Sequence, residues 1–364
     1  MNNISISQKY IDDLITNPQY NQEKTAKLFH DLASENFVGP LSEYLFAAAH
    51  FIRKQHYDNK IFLRGLIEFT NYCKNNCYYC GIRRENTLAT RYRLTLEDIL
   101  LSCKIGYNNG LRTFVLQGGE DMYFSVNKMT HIISEIKKLY PDCAVTLSIG
   151  EKDRKTYQKY FDAGADRFLL RHETATASHY QQLHPQSMLL SHRIQCLYTL
   201  KDIGFQVGAG MMIGSPNQTL DNLFADFAFL FKLQPHMVGI GPFIPHHQTP
   251  FKDKAPGNIE LTLISLAFVR LLLPKVLLPA TTALATLDPQ GTIKGLKAGA
   301  NVIMPNISPV NIRNLYTLYD DKKITGGESL EGILNLTTML QQHGYEVSIS
   351  RGDSLITNIL KKEV

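Results

Sequence analysis

The sequence predicts an α/β fold: a complete (β/α)8 TIM-type barrel with an N-terminal helical extension. Three observations predict it. Short apolar, β-rich runs alternate with longer amphipathic stretches. Eight such pairs fit into about 250 residues, the usual length of one barrel. A polar or glycine-rich loop follows each run, which packing alone does not explain.

Residues 1–58 read as helices, because Ile11, Leu14 and Ile15, then Leu28, Phe29 and Leu32, then Tyr44, Leu45 and Phe46 recur at helical spacing. Strands are expected at 61–69, 113–117, 144–148, 167–170, 206–212, 237–240, 276–279 and 300–304. Helical patterns lie between them, near 95–107, 126–139, 151–163, 189–203, 219–233, 259–273 and 289–298, with another after 311. The chain thus divides into a helical extension (1–58), the barrel (59–310) and a C-terminal segment that closes it (311–364).

Barrel enzymes build their sites from the loops at the C-terminal ends of the strands. Here those loops carry Cys73, Cys77 and Cys80 after strand one and Gly118-Gly119-Glu120 after strand two. Thr146 and Ser148 to Glu151 end strand three, and Arg171-His172-Glu173 ends strand four. The glycine-rich run to Met212 ends strand five, Phe243 to His246 strand six, Thr281-Thr282 strand seven and Pro305-Asn306 strand eight.

Composition narrows the class. A chain of 41.2 kDa with 44% apolar residues buries a large core. The net charge of +5 is mild and unclustered, unlike the concentrated stripe of a nucleic-acid binder. Arg83, Arg84, Arg91 and Arg93 form the one local excess, to be read as a solvated turn or as a site of anion attraction. The N-terminus lacks the apolar stretch of a signal peptide. The hydrophobic region 261–287 contains Arg270, Pro274, Lys275 and Pro279, so it is no clean membrane span of about 20 residues. A cytoplasmic protein with reduced thiols is expected.

The three clustered cysteines have the spacing C-x3-C-x2-C. A four-iron cluster normally takes four thiolates, and a loop offering three leaves one iron open. Zinc would want a fourth Cys or His, and His50, His56 and Cys103 all lie more than fifteen residues away. Six cysteines in 364 residues, with no secretory segment, argue against a disulfide. Cys103, Cys143 and Cys196 sit singly in apolar surroundings, as core cysteines do.

The loop closely resembles the signature of the radical S-adenosylmethionine (SAM) enzymes. That resemblance implies a [4Fe-4S] cluster whose open iron chelates the amino and carboxylate groups of SAM, and an electron that splits SAM into a 5′-deoxyadenosyl radical. Gly118 and Gly119 suit close backbone approach, and Glu120 suits the amino group. Tyr79 matches the family's aromatic, whose backbone is expected near the adenine. Glu173 and Arg193 are charges beside apolar sequence. They serve either SAM or a structural ion pair.

Finer motifs sharpen this. LIEFTNYCKNNCYYCGIRREN, RYRLT, VLQGGED, VTLSIGE, DRFLLRHETA, GAGMMIGSPNQT, HMVGIGPFIPHHQTP, LLPATTALAT and GANVIMPNISP occur in order between about residues 60 and 320. Together they resemble the [FeFe]-hydrogenase maturase HydE family, a relative of biotin synthase and methylornithine synthase. The resemblance implies that Ser148, Glu173, Arg193 and Met212 bind SAM. It implies a cavity lined by Thr146, Arg171, Met237, Thr281, Thr282, Tyr316 and Tyr319, with Arg171, the two threonines and Tyr319 closest to the chemistry. The implied substrate is a cysteine-bound iron carbonyl–cyanide species, attacked at sulfur and handed over by partner maturation proteins. The implied electron donor is a ferredoxin or flavodoxin. An amino-acid enzyme of the methylornithine synthase or biotin synthase type is the alternative. Some relatives carry three further cysteines near the C-terminus for a second cluster. Here the matching stretch, KKITGGESLEGILNLTTML, has none, and no cysteine follows Cys196.

Overall fold

The computed structural model describes residues 5–323 and 330–356. Its centre is a ring of parallel strands. Six pair in chain order: β2 (Gly65–Thr70), β3 (Thr113–Gly118), β4 (Ala144–Ser148), β5 (Arg167–Leu169), β6 (Gln206–Ile213) and β7 (Met237–Pro242). The ring continues through residues 276–280. Leu277 exchanges hydrogen bonds with Val238 and His236, while Leu278 and Ala280 bond to Val302 in β8 (Val302–Ile303). β8 then pairs with β1 (Lys60–Leu63), and Leu66 bonds to Pro305, so the circle closes.

Two expected strands differ in detail. The run 61–69 is split at Arg64 into β1 and β2, because the first half pairs with β8 and the second with β3. The run 276–279 makes only single bridges, Met237 to Leu277 and Pro279 to Val302. Pro279 has no N–H to give a ladder, which keeps this stretch irregular. β9 (Glu346–Ser348), which has no counterpart in the sequence reading, pairs with β1 below the point where β3 begins.

The helices fall close to their expected places: Leu96–Asn108, Val126–Leu139, Arg154–Asp162, Leu190–Ile203, Leu220–Leu233, Ile259–Leu272 and Gly291–Lys297. Their starts are fixed locally. Thr95 with Asp98, and Thr219 with Asn222, form capping boxes, and Ser125, Asp153 and Asn258 cap by one bond. Past β8 the chain forms a 3-10 helix, Val310–Leu315, and the helix Leu330–Gln342.

The N-terminal helices Ile6–Thr16, Gln22–Ser34 and Pro40–Tyr57 pack outside the barrel. Phe29 inserts among Phe224, Phe227 and Phe268, with ring centroids 5.3 to 5.6 Å away. The hydrophobic region flagged in the sequence is a buried helix, Ile259–Leu272. No helix among the described residues is long and apolar enough to cross a membrane. Arg270 near its end is fully buried and donates to the carbonyls of Gly299, Pro274 and Val276 and to Asn301.

The N-terminal end of the barrel is sealed by residues 351–353. Arg167 reaches the Arg351 carbonyl at 2.8 Å and Asp353 at 2.6 Å, Arg351 reaches Asp166, and Arg64 donates to the Gly352 carbonyl. The guanidinium groups offset the burial of the Asp353 carboxyl and hold its pKa down, to about 2. The cavity lined by the strand-end loops lies at the opposite, C-terminal mouth.

Two tests follow from this packing. Arg270→Ala leaves three buried carbonyls without this donor, while Asn301 keeps the Leu278 N–H, and should cost at least about 3 kcal/mol in urea unfolding. Asp353 has a lower pKa folded than unfolded, so its contribution is present above about pH 4 and fades as pH falls toward about 2. Asp353→Asn should therefore lose less stability than the parent over that window.

Candidate active site

The cysteine loop owes its shape to Arg91. Its guanidinium donates to the carbonyls of Asn71, Ile82, Arg83 and Asn86, so both ends of the loop meet on one side chain. Asn71 ties the same loop to Thr90 and Leu315. Arg93 forms a two-point pair with Asp121 at 2.7 and 3.0 Å, and Arg83 pairs with Glu85. The basic excess after the cysteines is thus mostly scaffold. Of the two readings the sequence left open, neither describes Arg91 or Arg93; Arg84 alone is well exposed.

The three thiols face one cavity of about 370 Å³ at the barrel mouth. Cys73 accepts from the backbone N–H groups of Asn75 and Glu120, each at 3.4 Å. Burial raises all three thiols, Cys77 up to about 12 and Cys80 well above the usual thiol range. Such thiols keep their protons until a metal displaces them. Among the described residues, the His, Cys, Asp and Glu groups whose donor atoms lie within 4.8 Å of one another are Glu151–His192–Cys196 and His246–His247–Asp320. The loop cysteines form no such set, so they are spread more widely than a single tetrahedral zinc would hold them. A multi-iron cluster fits the wider spacing.

Beside the cysteines, the Gly118–Gly119 turn comes so close that a Cβ on Gly119 would lie 2.2 Å from the Tyr72 carbonyl and 2.7 Å from Cys73 Cβ. Glu120 is held on one oxygen by Asn75 (2.8 Å) and the Glu151 N–H (3.1 Å). Gly150, at φ +73°, leaves room for that carboxylate, which a Cβ would meet at 2.0 Å. The other oxygen of Glu120 is 3.2 Å from Lys74 but makes no hydrogen bond.

Glu173 sits in the left-handed region at φ +68°, a strained conformation for a residue with a side chain. Its carboxylate lies 2.9 Å from Arg171. Arg193 pairs with Glu151 at 2.8 Å and donates to the Arg171 carbonyl at 3.0 Å. Ser148, Met212 and Tyr79 complete this wall, and the Tyr79 hydroxyl meets His184 at 3.2 Å. The ion-pair reading of Glu173 and Arg193 is realised, yet both still line the cavity.

Arg171, Met237, Thr281 and Thr282 line the same cavity, and Tyr316 and Tyr319 line it from the segment after residue 315. Thr146 is placed differently. It faces a small chamber beneath, shared with Arg64, Arg167 and Met237, because its position in β4 lies two residues below Ser148. Along the main cavity, buried atoms of Glu120, Arg171, Glu173, Arg193 and Thr281 lack hydrogen-bond partners, and those of Glu120, Glu173 and Arg193 are held only by ion pairs. Buried polar groups are rarely left so, and a cluster of them lining one cavity marks a ligand site. Acceptors from Glu120 and Glu173 and cations from Arg171 and Arg193 match the ammonium and carboxylate of an amino-acid moiety such as SAM carries.

Several members were not singled out in the sequence. Glu68, buried in β2, lines the cavity and binds Asn306 and Lys322. A charge inside the apolar run LIEF was its signal. Residues 316–323 cross the mouth as a strap: Gly81 bonds to the Leu318 carbonyl, Asp320 to that of Pro245, and His247 to Asp320 at 2.6 Å. Residues 324–329, within the stretch KKITGGESLEGILNLTTML, lie outside the described residues.

The fold and site together define a radical SAM enzyme. The description of the Radical SAM superfamily matches residues 67–230. The chain is 44% identical to the [FeFe] hydrogenase maturase subunit HydE of Thermotoga maritima, over 83% of this chain and 85% of that protein. It is 30% identical to the 3-methylornithine synthase of Methanosarcina barkeri, over 73% and 75%. Among solved structures, methylornithine synthase (PylB) aligns at a TM-score of 0.78 with 25% identity, covering 94% of this chain and 97% of that one. HydG, a maturase of the [FeFe]-hydrogenase, gives 0.78 at 18% identity over 94% and 76%, a likeness of fold. The chain belongs to the HydE family of radical SAM proteins.

The loop geometry is open to test. Gly119→Ala should displace the Cys73 ligand and lower iron retention after anaerobic reconstitution at least about fivefold, because a contact of 2.2 Å to backbone cannot relax cheaply. Arg91→Lys keeps the charge but cannot span four carbonyls. Its cluster should be lost faster on dilution than that of the parent.

Proposed function

We propose that this protein is a maturase of the HydE type, converting a small cysteine-bound iron carbonyl–cyanide species into a precursor of the [FeFe]-hydrogenase di-iron subcluster. The observation that carries this reading is the 44% identity to HydE across most of both chains, with the three-thiol loop and polar atoms that lack hydrogen-bond partners opening into one cavity. Bound together, a [4Fe-4S] cluster and SAM supply a 5′-deoxyadenosyl radical by one-electron cleavage of the sulfonium.

The chain's own groups do the rest. Cys73, Cys77 and Cys80 hold three irons and leave the fourth to SAM. Glu120 and Glu173 accept from the SAM ammonium, and Arg193, fixed by Glu151, faces its carboxylate. Gly118, Gly119, Ser148, Tyr79 and Met212 shape the pocket around it. Arg171 with Thr281 and Thr282 takes the anionic end of the substrate. Met237 forms a soft wall, and Tyr316 and Tyr319 cover it from the strap. Thr146 acts from the chamber below. Residues 59–310 form the catalytic barrel, flanked by the helical extension 1–58 and the closing segment 311–364. The protein works in the cytoplasm with partner maturation proteins and with a ferredoxin or flavodoxin as electron donor.

The anaerobically reconstituted protein should bind about four irons and release 5′-deoxyadenosine on reduction with dithionite. With partner maturation proteins it should activate an apo-hydrogenase. Cys80→Ser should abolish all three, and Glu173→Gln should slow SAM cleavage at least about tenfold. Retention of cluster and cleavage by a Cys73, Cys77 and Cys80 triple serine variant would refute the reading. The 30% identity to 3-methylornithine synthase favours a second reading, an amino-acid enzyme. Transfer of deuterium from a labelled amino acid into 5′-deoxyadenosine would select it.

A further inference from the structure

One face beside the cysteine loop combines exposure, charge and nearness to the cluster ligands. Tyr72, the residue before Cys73, is exposed, and its Cα lies one peptide, about 3.8 Å, from that of the ligand. The turn after Glu120 abuts it and presents Met122 and Tyr123, 76% and 51% exposed. Arg93 is sandwiched between the rings of Tyr72 and Tyr123, at 3.7 and 4.6 Å, and Lys128 lies 3.3 Å from the Tyr123 ring centroid. These stacked cations fix the aromatic side chains at little further entropic cost on binding.

The charges are arranged in layers. The acids of this face lie underneath: the side chain of Asp121 is 3% exposed and that of Glu120 is 7%. The cations Lys74, Arg84 and Lys128 point outward, with Glu85 as the acid exposed among them. A rigid aromatic and methionine centre with a predominantly cationic rim is the composition of a protein docking site. Its complement is an acidic partner.

We propose that this face is the docking surface for an acidic one-electron carrier protein, which delivers its electron to the cluster past Tyr72 and Cys73. The inference rests on the reading of the cysteines as cluster ligands. In the step the carrier loses one electron and the four-iron cluster gains it; no bond or proton is exchanged. The route is short because Cys73 is bonded to the exposed Tyr72 and accepts from the Glu120 N–H, two residues before Met122.

The test uses the reconstituted protein and a flavodoxin of strongly acidic surface. Binding of oxidised flavodoxin, read by calorimetry, should weaken about tenfold or more in Met122→Asp/Lys128→Glu and should fall steeply with salt in the parent. Arg84→Glu, clear of the aromatic stack, should shift binding in the same direction. Iron content, melting temperature and dithionite-driven cluster reduction should match the parent, while reduction by reduced flavodoxin slows. Unchanged flavodoxin affinity in both variants, or salt-independent binding, overturns the proposal. The affinity arm does not depend on catalysis, so it decides the docking surface even if SAM cleavage fails and the proposed function falls.

Discussion

Four backbone carbonyls converge on the half-buried guanidinium of Arg91, and the active-site loop depends on that convergence. Loops rich in asparagine and glycine have no ladder to hold them. Here one cation replaces the ladder, leaving the thiols of Cys73, Cys77 and Cys80 free to face the cavity. The loop is then locked at its edges, by Arg93 to Asp121 and by Gly81 to the strap. A site that must keep three ligands in register gains more from such a rigid anchor than from any single ligand contact.

Below the loop, the barrel is sealed at one end and charged within. Residues 351–353 close the bottom through Arg167 and Arg64, and the strap 316–323 crosses the top. A cavity enclosed this way keeps water from a reactive species and strengthens every charge inside it. The paired sets Arg171–Glu173 and Arg193–Glu151 let charged groups stand ready without a ligand. A ligand with both an ammonium and a carboxylate can take over one partner from each.

Much of this was legible in the sequence, because barrel strands and helices are local patterns. Apolar runs of five or so residues and amphipathic helices gave the count of eight, and the loops at strand ends gave Cys73, Glu120, Glu173 and Thr281 as neighbours. What escaped was long-range. β9 and the Arg351–Asp353 seal lie in polar sequence with no period, and their role depends on Arg167, more than 180 residues away. The four-carbonyl role of Arg91 looked like surface charge, since a guanidinium reads the same whether it meets water or backbone. Pro279 broke a strand that composition favoured, and a shift of two residues along β4 put Thr146 in the chamber below the cavity that Ser148 lines.

The central claim is that three thiolates hold a four-iron cluster with one iron open to SAM. Electron paramagnetic resonance of the reconstituted, reduced protein tests it most directly. A single reduced [4Fe-4S] signal whose g-values move on adding SAM, and do not move with Arg193→Ala, is the predicted result. A signal indifferent to SAM in the parent protein, or a loop occupied by zinc with no iron signal at all, would contradict it.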